Sequence, residues 1–153
     1  MTTHQKKTAI VTGALQGIGA GLVEAFLKLG YNVVGNSRNI TKTNPFPASV
    51  NLALVDGDIG DPQTAARIVD TAVSRFGQVD ILINNAGIFI PKPFTEYTTE
   101  DLNALVSTTL AGFLYVSQLS VKQMLRQKTG NIVNISTTFV DQPIAGASAG
   151  FKS

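Results

Sequence analysis

Ile10-Val11-Thr12-Gly13-Ala14-Leu15-Gln16-Gly17-Ile18-Gly19-Ala20-Gly21 is the stretch that decides how this chain folds. A short apolar run, Thr8 to Thr12, ends in a glycine-punctuated turn. The turn opens a segment carrying Ile18, Leu22, Val23, Phe26, Leu27 and Leu29 at helical spacing. Strand, glycine turn and helix in that order make the phosphate-gripping half of a nucleotide-binding βαβ unit. Gly13 can turn with φ > 0, Gly17 lets a diphosphate approach the backbone, and Gly19 lets the helix lie close to the strand. Free N–H groups and the dipole at the helix start then face the anion. The spacing departs from the ordinary G-x-G-x-x-G pattern, because Leu22 stands at its last position. No Lys-Ser/Thr follows, as a P-loop would require.

Working outward, 153 residues suit one domain, taken here as 1–153, with a sizeable core. A net charge of +2 with no Lys/Arg run gives no nucleic-acid or membrane footprint, and Lys6-Lys7 reads as a solvated end. The absence of cysteine excludes disulfides, thiolate metal sites and cysteine nucleophiles. His4 is the only histidine, which leaves no histidine triad or metal site. The N-terminus lacks a signal peptide's apolar core, and no segment reads as a membrane span. A soluble cytoplasmic chain is the expectation.

Helical and strand-like segments alternate, which predicts an α/β fold with a doubly wound parallel sheet. Gly30 stops the first helix, and Tyr31 to Gly35 is the second strand. Asn36 to Ser49, with Pro45 and Pro47, reads as a loop, and Val50 to Val55 as the third strand. Asp61 is the N-cap of a helix with Pro62 at its first position. Ala65, Ile68, Val69, Ala72, Val73 and Phe76 form its inward face, and Gly77 ends it. Asp80 to Asn84 is a buried fourth strand. Thr99 is the expected N-cap of a long helix whose apolar positions are Leu102, Leu105, Val106, Leu110, Phe113, Leu114, Val121, Met124 and Leu125. Gly130 breaks it before a fifth strand, Asn131 to Ile135. The expected order is 3-2-1-4-5, which leaves an apolar fifth strand at the edge. That edge, and a helical pattern that only begins near Ser153, predict that the sequence is part of something longer.

Thr12-Gly13-x-x-x-Gly17-Ile18-Gly19, together with Asn85-Ala86-Gly87 after the fourth strand, resembles the short-chain dehydrogenase/reductase family. Its first turn is T-G-x-x-x-G-x-G, and its N-A-G packs against the cofactor and braces the central sheet. The resemblance covers nearly all of this chain but only the first half or so of such a protein. It implies a Rossmann-like fold, apparently incomplete at the C-terminus, and hydride transfer between a nicotinamide dinucleotide and a carbonyl or alcohol substrate. Gln16 and Ile18 fall inside the cofactor-binding turn. Long helices such as Thr99 to Gln127 form dimer faces in the family, so a homo-dimer or homo-tetramer is implied, although Leu114 and Leu125 are equally readable as core.

Three further stretches fall where the family places function. At the end of the second strand, a carboxylate would hold the ribose hydroxyls of NAD and repel a 2′-phosphate. Ser37 stands there instead, followed by Arg38, whose guanidinium can grip a phosphate, so NADP is favoured over NAD. Asp58, followed by Ile59 to lie under the ring, matches the family's acceptor for the adenine amino group, although Asp56-Gly57-Asp58 is also simple turn chemistry. The family's catalytic serine falls at Ser136 or Thr137, and spacing does not choose between them. The buried pair Asn84-Asn85 requires amide hydrogen bonds to neighbouring backbone.

Two positions depart from the family pattern. Thr109 stands where an asparagine usually helps anchor a proton-relay water, and Ser148-Ala149-Gly150-Phe151-Lys152 puts serine where Tyr-x-x-x-Lys has tyrosine. A phenol can be brought toward neutrality by a nearby lysine, whereas an aliphatic hydroxyl is a poor acid or base. Lys152 can still bind the nicotinamide ribose. Three readings stay open: an oxidoreductase with a relay through Ser136, Lys152 and water, a catalytically impaired NADP-binding module with a regulatory or oligomerisation role, and an inactive fragment serving as an interaction surface.

Overall fold

The structure is a computed structural model, and it describes residues 5–137. Its elements run β1 (Thr8–Thr12), α1 (Gly17–Lys28), β2 (Asn32–Ser37), α2 (Ile40–Thr43), β3 (Leu52–Asp56), α3 (Pro62–Phe76), β4 (Ile81–Asn84), α4 (Thr99–Leu105), α5 (Gly112–Gln127) and β5 (Asn131–Asn134). The strands form one parallel sheet in the expected order, β3-β2-β1-β4-β5.

β1 is buried along its whole length. Successive residues of a strand point to opposite faces, so β1 and β2 each feed two cores. Ile10 and Val34 pack with Ile68, Ala72, Leu82, Val116 and Met124 on the α3/α5 face. Val11 and Val33 pack with Val23, Ile40 and Phe46 on the α1/α2 face. Asp61 caps α3 by accepting the Gln63 N–H at 2.9 Å, and Gly77 closes it in the left-handed conformation, both as expected.

Several boundaries move. β2 starts at Asn32 and runs on to Ser37, because Asn36 and Ser37 pair with Val55 and Asp56 of β3. β3 begins at Leu52, leaving Val50 on the surface at 84% exposure. β4 starts one residue later than expected, at Ile81, and β5 ends one residue earlier, at Asn134. The expected loop after β2 contains the helical turn α2, anchored where Asp56 accepts from the Thr41 backbone N–H and hydroxyl. The N-cap of α4 is Thr98 rather than Thr99. Asp101 sits three residues after Thr98 and completes a capping box, which Leu102 could not do for Thr99.

α4 and α5 belong to one rod, Thr99–Gln127, joined by a π-helical stretch, Val106–Ala111. Most of its apolar positions face outward, and Leu114 and Leu125 are not core. Leu102, Val106, Leu110, Leu114 and Leu125 are exposed, and the buried line is Gly112, Val116, Ser120 and Met124. The rod is also long and apolar enough to cross a membrane by length and composition, contrary to the reading of the sequence. Here that buried line packs it onto the core beside α3. As expected for an edge, β5 leaves Ile132 and Val133 partly uncovered.

Asp101 also pairs with Lys92, tying the loop after β4 to the start of α4. The Lys92 contact first, then the Thr98 N–H, hold its carboxyl below the ordinary value of 3.8. A depressed carboxylate stabilises the folded chain fully above its unfolded pKa and loses that contribution as pH falls through the lowered value. Urea midpoints measured below pH 3.8 are therefore expected to fall more steeply for the unsubstituted chain than for Asp101→Asn.

Candidate active site

The strand order reverses between β1 and β4, and the crevice above their C-terminal ends is where an open α/β sheet receives a ligand. A cleft of about 710 Å³ opens there. Its floor is the glycine turn, with Gly13, Gln16, Gly17 and Ile18. Gly13 and Gly17 have φ of +64° and +57°, left-handed values that bring their backbone toward the cleft. Ile18, at the helical spacing of α1 and inside the turn implied to bind cofactor, is 63% exposed and lines the cleft. Leu29 is likewise exposed, because α1 has already ended.

One wall is the end of β2 and the turn after β3, with Ser37, Arg38, Asp58 and Ile59. Arg38 is exposed and has no ion-pair or hydrogen-bond partner among the described residues. Asp58 performs the turn role, its Oδ1 accepting from the Gly60 N–H at 2.9 Å, while it also faces the cleft. The other wall is Asn85, Ala86 and Gly87. Gly19 lines no wall and lies beneath the turn, where an added Cβ would stand 2.1 Å from the Gly13 carbonyl oxygen and 2.7 Å from Asn85 Nδ2.

The Asn84-Asn85 pair splits its work. Asn85 Nδ2 donates to the Thr12 and Gly13 carbonyls, both at 3.1 Å, as the sequence requires. Asn84 departs from that expectation, because its Nδ2 donates to the side chains of Ser117 at 3.0 Å and Asn134 at 2.9 Å. Thr12, whose side chain the sequence left without a role, accepts from the Asn85 and Ala86 N–H groups at 3.1 and 3.0 Å. A hydroxyl ending a buried strand opposite the Asn85-Ala86 turn was the available signal. Asn36, in the same cleft, was also missed because the sequence placed it in a loop.

A smaller cavity of about 240 Å³ adjoins the cleft over β4 and β5. Ser136, Thr109, Thr108, Asn84 and Asn134 line it, so one of the two hydroxyls expected to meet substrate stands beside amides and the π stretch. Thr137 is described and partly buried, and Ser148 and Lys152 lie outside the described residues. The turn after β3 is interlocked with the rod. A Cβ on Gly60 would stand 2.1 Å from Ser107 Oγ, and one on Gly112 would stand 2.7 Å from Ile59 Cγ2.

Known proteins share this arrangement. The solved structure of ElxO with NADP bound superposes with a TM-score of 0.84 and 31% identity, covering 93% of this chain and 60% of that one. A 3-ketoacyl-(acyl-carrier-protein) reductase from Brucella melitensis, complexed with NADH, superposes with a TM-score of 0.86 and 26% identity, covering 93% and 61%. An uncharacterized oxidoreductase of Staphylococcus saprophyticus is 32% identical over 143 residues, 90% of this chain and 61% of the relative. The chain thus spans about 60% of the length of the relatives it matches. The family model described as short chain dehydrogenase matches residues 7–149, and the chain belongs to that family.

Proposed function

We propose that the cleft binds NADP(H) and that the chain carries the cofactor-binding part of an oxidoreductase acting on a small carbonyl or alcohol. The observation that carries this reading is the convergence of the glycine turn, Ser37-Arg38, Asp58 and Asn85-Gly87 on one cleft at the sheet's switch point. The fit to a dinucleotide is physical. Left-handed glycines expose backbone donors to a diphosphate, Gly19 keeps the helix start close beneath it, and Arg38, without a partner among the described residues, offers charge to a 2′-phosphate.

Bound NADP(H) supplies the hydride chemistry. Ser136 or Thr137 would hydrogen-bond the substrate oxygen, and Lys152 would bind the nicotinamide ribose through its charged ammonium donors. The second reading, an NADP-binding module impaired in hydride transfer, is favoured by Ser148 at the tyrosine position. Self-association into a homo-oligomer is supported by the apolar face of Leu102, Val106 and Leu110.

Fluorescence titration with NADPH tests the cofactor reading, and saturable binding tighter than for NADH is the expected result. Absence of binding would remove both readings. NADPH oxidation with a carbonyl panel then separates the enzyme from the module.

A further inference from the structure

We propose that Asn36 is a positioning residue for the adenosine half of the dinucleotide, holding the turn after β3 in the shape that presents Asp58. This rests on the cleft being the dinucleotide site. Asn36 is 1% exposed, in the same strand as the buried Val33, Val34 and Gly35. A buried amide there is unfavourable unless its hydrogens are bonded. Its Nδ2 donates to the Val55 carbonyl at 3.0 Å and the Gly57 carbonyl at 3.2 Å. Its backbone carbonyl meanwhile accepts from the Ala14 N–H at 2.9 Å, in the glycine turn. One residue therefore joins the cleft's phosphate floor to its adenosine wall.

The peptide that Asn36 grips is an unusual one. Gly57 has φ of +145°, a backbone state that side chains rarely adopt. Its N–H donates to the Ser37 carbonyl at 3.2 Å, so Gly57 is held by β2 on both sides of its Cα. Asp58 follows directly, with Oδ1 committed to the Gly60 N–H. Its other oxygen has no protein partner among the described residues. Releasing the Gly57 carbonyl lets the Gly57-Asp58 peptide rotate and carries that oxygen away from an adenine amino group. Arg38 lies on the β2 side and keeps its place, so the effect falls on adenine and not on the 2′-phosphate.

The test compares the full chain with Asn36→Ala, using NADP, NAD, AMP and nicotinamide mononucleotide as probes in NMR titrations. Circular dichroism checks the fold, and Asn36→Leu, which removes the donor but keeps the side-chain volume, is read by the same criteria should the alanine variant not fold. Loss of the two hydrogen bonds is expected to weaken NADP, NAD and AMP alike by about tenfold and leave nicotinamide mononucleotide unchanged. Unchanged adenine nucleotide affinity would overturn the inference. So would an equal loss for nicotinamide mononucleotide, which would mark general loosening. An unsubstituted chain that binds no adenine nucleotide would overturn the cofactor reading as well.

Discussion

A Gly19→Ala chain is expected to lose about 3 kcal/mol of stability and its measurable affinity for NADPH. The added methyl would stand 2.1 Å from the Gly13 carbonyl oxygen and 2.8 Å from its carbonyl carbon, and backbone cannot swing aside as a flexible side chain does. Relief requires α1 to move off the end of β1, which pulls apart the turn and the Asn85 bonds to Thr12 and Gly13. The neighbouring glycines supply the controls. Gly21 has open space and an ordinary helical backbone, so Gly21→Ala is expected to be stabilising by about 1 kcal/mol. Gly17 also has open space but a φ of +57°, and alanine there is expected to cost about 1 kcal/mol through backbone strain alone. Urea unfolding of the three variants measures the ranking. Gly19→Ala no worse than Gly17→Ala would show that α1 is free to shift.

Arg38→Ala is expected to weaken NADP binding about thirtyfold, corresponding to ~2 kcal/mol for a charge-assisted phosphate contact, and to leave NAD binding within about twofold. The guanidinium is exposed and has no partner among the described residues, so its removal orphans no protein group. Stability should not move. Isothermal titration with both dinucleotides decides the matter, and equal losses for NADP and NAD would remove Arg38 from phosphate recognition. The pattern is the converse of that expected for Asn36→Ala, which acts on both dinucleotides together.

The sheet order was legible because apolar strands and amphipathic helices alternate and Gly30, Gly77 and Gly130 punctuate them. The cleft was legible for a related reason: the glycine turn and the Asn-Ala-Gly stretch are local patterns tied to backbone shape. What failed was non-local. Nothing adjacent to Asn36 announces that β3 will lie beside it, so the residue read as loop. In the long helix, leucines such as Leu102, Leu110 and Leu125 carry the apolar signal, whereas the buried line includes Gly112 and Ser120, which carry almost none. Small residues are selected there by how near a neighbour must come, a quantity absent from any periodicity. Thr99, directly before Glu100 and Asp101, has the local composition of a cap, whereas the deciding pairing is Thr98 with Asp101.

The interlock of Ile59-Gly60 with Ser107 and Gly112 bears on how such a chain can change over generations. Each contact is already at its limit, one against Ser107 Oγ and the other against the Ile59 side chain. A methyl gained at residue 112 sits easily where residue 59 has already shrunk, and one gained at 60 requires the Ser107 hydroxyl to turn away or be lost and the Ser107 carbonyl, 3.0 Å off, to give slightly. These positions lie far apart in the sequence, yet their histories are joined, and descendants should inherit them as matched pairs.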